Sequence, residues 1–92
     1  MERKEFEERF LELGFTMDQI SNIQDYGASL IEVEEIEDGD EYDARELALQ
    51  YMIDELIDAD DEYRAMYLEK ITGSKISDDV IEKLIERMEM DW

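Results

Sequence analysis

Apolar residues recur along this chain at three- and four-residue spacings, broken by glycines and short acidic runs, and that rhythm predicts helices. Phe6, Phe10 and Leu13 mark one face of a helix over Glu2–Leu13. Arg3–Glu7, Lys4–Glu8 and Glu5–Arg9 are opposite charges four apart on its solvated side. Gly14 stands where a C-cap glycine would end it. Thr16 with Gln19 three residues on is a capping box, and Phe15 can staple onto Ile20. Ile20 and Ile23 then face inward, and Gly27 is expected to break or turn the chain.

The segment 28–37 fits two periods. As a strand, Ile31, Val33 and Glu35 share a face; as a helix, Tyr26, Leu30, Val33 and Glu37 line up. No other segment reads as a strand, and a lone strand leaves its backbone groups unsatisfied, so helix is preferred. A short β-hairpin near 29–42 is the alternative. Asp38-Gly39-Asp40 is a turn under either reading.

Asp43 as cap, Glu46 three residues later and Tyr42 stapled to Leu47 predict the next helix start. That helix, Ala44–Ala59, is apolar around most of its circumference: Leu47, Ala48, Leu49, Tyr51, Met52, Ile53 and Leu56. It is the predicted core helix. Tyr63, Met66, Tyr67 and Ile71 stripe a further helix closed by Gly73. Ser77 caps a last one, with Ile76 stapled to Ile81 and a stripe of Ile81, Leu84, Ile85 and Met88. The predicted fold is therefore mainly α: one small compact domain spanning 1–92, with four to six short helices around Ala44–Ala59.

Charge changes this picture. The 92 residues carry a net charge of −20. Sixteen acids against the single base Arg45 lie between Asp25 and Glu62, and no lysine occurs between Lys4 and Lys70. Solubility asks for a net charge of only about 2–8 in a small domain. The excess repels nucleic acid and anionic membranes and attracts basic surfaces. With 43% hydrophobic residues the chain nevertheless has the means to fold.

The residue inventory narrows the chemistry. There is no cysteine and no histidine, hence no disulfide, no thiolate and no imidazole base. Paired carboxylates do acid–base work only where a pocket separates their pKa values, and these acids stand at exposed-looking positions, so no enzyme and no catalytic residue are expected. Asp58-x-Asp60-x-Glu62 with Glu69 imitates a calcium loop, but Tyr63 occupies the glycine position and the segment reads as helix. No metal or other cofactor is expected. No apolar run suits a membrane span and the N-terminal stretch is no signal peptide, so a cytoplasmic protein is the expectation, in the host cell if phage-encoded.

Leu11-Glu12-Leu13-Gly14-Phe15-Thr16 resembles the Met-Gly-Phe start of ubiquitin-associated domains, with leucine at the methionine position and no matching third helix. By size and charge pattern over Asp25–Glu62, without a motif, the chain also resembles the DNA-mimic inhibitors of phages and mobile elements, the anti-CRISPR and antirestriction proteins. That resemblance implies a non-enzymatic inhibitor occupying the basic nucleic-acid-binding cleft of its target, a CRISPR effector first and a restriction enzyme second.

The residues support mimicry independently. Duplex DNA presents one negative charge per about 1.7 Å of axis. Carboxylates four apart on a helix, such as Asp54 and Asp58, lie about 5–6 Å apart and cost roughly 0.2–0.5 kcal/mol per pair. Glu32 and Glu34 in extended chain would lie about 6.6–6.8 Å apart. The first helix avoids such repulsion by alternating signs, and the middle of the chain does not. The predicted partner-binding set is Glu32, Glu34, Glu35, Glu37, Asp38, Asp40, Glu41, Asp43, Asp54, Asp58, Asp60, Asp61 and Glu62. Tyr42 and Tyr63 are placed either to stack on arginines of the target or to pack as core or staple residues. The competing expectation is an acidic adaptor or antitoxin that binds a basic protein without displacing nucleic acid.

Overall fold

The computed structural model describes residues 2–34 and 41–90. Five helices lie there, with no strand among the described residues: α1 (Arg3–Leu13), α2 (Met17–Glu34), α3 (Glu41–Ile57), α4 (Asp61–Thr72) and α5 (Asp78–Glu89). The radius of gyration, 12.4 Å, matches the roughly 12 Å of a compact chain of this length.

Local chemistry sets most helix ends. Gly14 adopts φ 109°, and α1 closes in a Schellman arrangement. The Gly14 N–H donates to Leu11 O and the Phe15 N–H to Phe10 O, both at 3.1 Å. The accompanying apolar contact is the edge-to-face pair Phe10–Phe15, with ring centroids 5.1 Å apart. The capping box at Thr16 forms in both directions, with the Thr16 N–H donating to Gln19 Oε1 at 2.9 Å and the Gln19 N–H to Thr16 Oγ1 at 3.2 Å. Asp60 caps α4 through the Tyr63 N–H at 2.8 Å, and Ser77 caps α5 through the Val80 N–H at 3.4 Å. Gly73, at φ 73°, ends α4. Arg3–Glu7 and Glu5–Arg9 pair along α1 at 3.1 and 2.6 Å.

Gly27 does not break the chain. Helix α2 runs through it, so residues 28–34 are helical and continuous with the segment before them. The β-hairpin proposed near 29–42 is excluded at its arms, because Ser29–Glu34 and Glu41–Tyr42 are helical. The turn expected at Asp38-Gly39-Asp40 lies outside the described residues. Gly27 is buried at the crossing of α2 and α3, the most extensive helix pair in the molecule. A Cβ there would collide with the Ala44 carbonyl and come within 3.1 Å of the Ala48 methyl. Glycine and two alanines let the two backbones touch, and that contact outweighs glycine's poor helix propensity of about 1 kcal/mol.

A second correction concerns the start of α3. It is already helical at Glu41, two residues before the expected cap Asp43. Asp43 thus sits inside the first turn, where acid favours the dipole rather than capping. The side chains of Tyr42 and Asp43, and with them the expected staple, lie outside the described residues.

The core joins Phe6 and Phe10 of α1, Ile20 and Ile23 of α2, Ala48, Leu49, Met52 and Leu56 of α3, Leu68 of α4, and Ile81, Leu84, Ile85 and Met88 of α5. The staple residues Phe15 and Ile76 are buried with them. Helix α3 contacts α1, α2 and α5, as expected of the core helix, although Leu47, Tyr51 and Ile53 are only half-buried. Arg45 is only 3% exposed, so the one base of the acidic stretch adds little to its solvent face. Among the described residues no helix is long and apolar enough to cross a membrane.

Candidate acidic interface and tyrosine groove

The predicted acids separate in space. Glu32 is exposed near the C-terminal end of α2. Glu34 lies in the last turn of α2, and Glu41 and Asp43 in the first turn of α3, with their side chains outside the described residues. Glu35, Glu37, Asp38 and Asp40 lie wholly outside them. Asp54 and Asp58 are exposed at the far end of α3. Asp60 caps α4, and Asp61 and Glu62 occupy its first turn, all exposed. Asp43 and Asp54 are eleven helical steps apart on α3, about 16 Å of rise. The stretch is continuous in sequence but forms two acidic ends on one helical body.

The set divides against the helix dipole: Glu41, Asp43, Asp60, Asp61 and Glu62 stand at helix N-termini, where acid is favourable, whereas Glu32, Glu34 and Asp54 stand at C-terminal ends, where it is not. Neither α2 nor α3 has a base in its last turn, and both carry acid there: Glu32 and Glu34 on α2, Asp54 and Glu55 on α3. Each such charge costs about 0.3–1 kcal/mol where a lysine would contribute the same amount. Helix α4 has Lys70 in its last turn and α5 has Arg87 between Glu86 and Glu89, while α1 ends with Glu12 and no base. The missing positive end of α3 is supplied from α4. Arg64 Nε donates to Leu56 O at 2.6 Å and its Nη2 to Ile57 O at 3.1 Å. Its Nη1 lies 3.5 Å from Asp61 Oδ1.

The calcium-loop spacing has no loop behind it, since residues 61–72 form one continuous helix. Asp54, Glu55, Asp58 and Asp60 border a hollow of about 480 Å³ together with Tyr63. Among the described residues no three acids come close enough to hold a metal ion.

The stripe of Tyr63, Met66, Tyr67 and Ile71 divides: Tyr67 and Ile71 are half-buried against the core, and Tyr63 and Met66 are not. Leu68 and Thr72 are the buried residues of α4, whereas Tyr63 is 44% and Met66 61% exposed. Helix α4 has two apolar faces, and the aromatic one walls an open groove of about 690 Å³ between α2, α3 and α4. Tyr26, Tyr51, Tyr63 and Tyr67 line it. The Tyr26 and Tyr67 hydroxyls lie 2.9 Å apart, and the Tyr63 ring stacks on Tyr67 with centroids 6.2 Å apart. The Tyr63 hydroxyl donates to Glu55 Oε2 at 2.9 Å. Burial, then the hydrogen bond with Tyr26, raises the Tyr67 pKa well above the ordinary phenol range. The hydrogen bond to Glu55, then that carboxylate's charge, raises the Tyr63 pKa. Both phenols stay neutral at physiological pH. The 63–66–67–71 spacing was legible in sequence, but its exposure was not: a helical stripe reads the same whether it meets a core or a groove. Compared with known protein families, curated proteins and solved structures, the chain matches none.

Proposed function

We propose that this protein is a non-enzymatic acidic inhibitor that occupies the basic nucleic-acid-binding cleft of another protein, as a mimic of the duplex charge. The observation that carries this reading is the exposed acid at the C-terminal ends of α2 and α3. Acid at those ends costs stability, and opposite charges there would have helped the fold. The cost is explained when the negative field has a partner. Two acidic ends about 16 Å apart along α3 match a cleft that holds several phosphates of one strand rather than a single anion. The class of target is a CRISPR effector first and a restriction enzyme second.

The test is competition. Titrated into a purified CRISPR effector or restriction enzyme bound to labelled duplex, the protein is expected to displace the duplex, and excess duplex to displace the protein. Binding of the protein and the duplex at the same time overturns the reading. The tyrosine groove favours a second reading, an acidic adaptor or antitoxin that holds a basic protein without touching its nucleic-acid site. Simultaneous binding is the result that reading expects.

A further inference from the structure

We propose that the tyrosine groove between α2, α3 and α4 is a receptor for an arginine side chain of the basic partner, with the guanidinium seated over Tyr63 beside Glu55. The proposal deepens the reading above and rests on its basic protein partner, though not on displacement of nucleic acid.

Folding alone does not account for this face. Helix α4 meets the core through buried Leu68 and Thr72 and half-buried Ala65, Tyr67 and Ile71, yet Tyr63 and Met66 stay exposed. A guanidinium is planar, weakly hydrated and always charged, so it gains from an aromatic face and a carboxylate together, whereas a compact ammonium stays better hydrated in water. Both elements meet at one point. Tyr63 holds its ring against Tyr67 and its hydroxyl against Glu55, so the ring is fixed before anything binds. Donation to a carboxylate also makes the ring more electron-rich, which strengthens its attraction for a cation.

Charge selects the occupant and the end of the groove. Tyr63 and Glu55 also border the acidic hollow of Asp54, Asp58 and Asp60, so the tyrosine groove opens at that end into a strongly negative mouth. Lys70 lines the same groove two helical turns from Tyr63, about 10 Å along α4, together with Asp25. A cation entering past Asp58 thus meets Glu55 and Tyr63 before it meets Lys70. An acidic segment would be repelled at that mouth.

The experiment compares two fluorescein-labelled nonapeptides of equal charge, one of arginine and one of lysine, by anisotropy at physiological salt. Electrostatics alone binds both alike. The groove is expected to favour the arginine peptide at least tenfold, and Tyr63→Ala to abolish that preference while lysine-peptide binding stays within twofold. Met66→Arg, at an exposed position, is expected to abolish it too by placing a resident cation in the groove. A preference under tenfold in the unaltered protein, or one that survives both substitutions, overturns the proposal. No nucleic acid is present, so a failed groove leaves the competition result standing, and a failed competition leaves the arginine preference measurable.

Discussion

At Gly27 a single hydrogen atom in place of a methyl decides how closely two helices approach. In an exposed helix Gly→Ala stabilises by about 1 kcal/mol. Here the added Cβ meets the Ala44 backbone, which no rotamer change can move. Gly27→Ala is therefore expected to destabilise by about 1–3 kcal/mol, measured by urea denaturation. Tyr67 offers a second test. Its pKa is raised from 10.0, so the stability it contributes is whole below about pH 10 and is lost as pH rises beyond that value. Tyr67→Phe removes the hydroxyl and its bond to Tyr26, at a cost of about 1 kcal/mol at pH 8. The gap between the variant and the unaltered protein is expected to shrink at pH 11. The two positions differ in what sequence could reveal. Hydroxyl-bearing caps such as Thr16 and Ser77 act on neighbours three residues away and were legible. What a mid-helix glycine touches is set by a residue seventeen positions away, and the same letter can end a helix or admit another.

Among the elements, α3 and α4 depend on each other through Arg64. The last carbonyls of α3 have no cationic residue of their own, and the guanidinium from α4 answers them. Arg64→Ala is expected to cost about 1.5–3 kcal/mol, the range for hydrogen bonds to a charged group. Arg64→Lys should recover only part of it, because an ammonium lacks the planar fork that reaches two carbonyls at once. The acidic helix ends make the converse prediction. Asp54→Lys and Glu32→Lys place a cation where the dipole wants one, and each should gain about 0.3–1 kcal/mol, read as a higher thermal midpoint. If these acids serve the interface, the same variants lose affinity for the partner while gaining stability. The existence of the helices was readable from periodicity and caps. The starting turn of α3 was not, because Asp43 satisfies the cap pattern equally well from inside the first turn. Nor was the inward face of α4, where Leu68 and the Tyr63–Tyr67 pair offer two apolar sides and only packing against α2 and α5 decides between them.

For the whole molecule, twenty net negative charges on a body 36 × 25 × 24 Å repel one another in the absence of a partner. Added salt screens that repulsion, with a Debye length near 8 Å at physiological strength, so the free protein should melt higher as salt rises. Binding should respond in the opposite sense, weakening steeply with salt as both surfaces retain their counterions. The separation of the acids into two ends sharpens the test of mimicry. Reversing Asp54, Asp58 and Glu62 to lysine changes the net charge by six units at one end of α3. Reversing Glu12, Glu82 and Glu86, exposed on α1 and α5, changes it by the same amount elsewhere. If one cleft spans both acidic ends, the first set should remove most of the affinity and the second little, with helicity by circular dichroism unchanged in each. A third set at Glu32, Glu34 and Glu41 should then match the first, since a cleft that follows the axis of α3 needs both ends. Equal losses from all three sets would mean that only total charge matters, and the two-ended interface would be wrong. A loss confined to the Asp54 end would instead place the whole contact beside Tyr63, at the mouth of the groove.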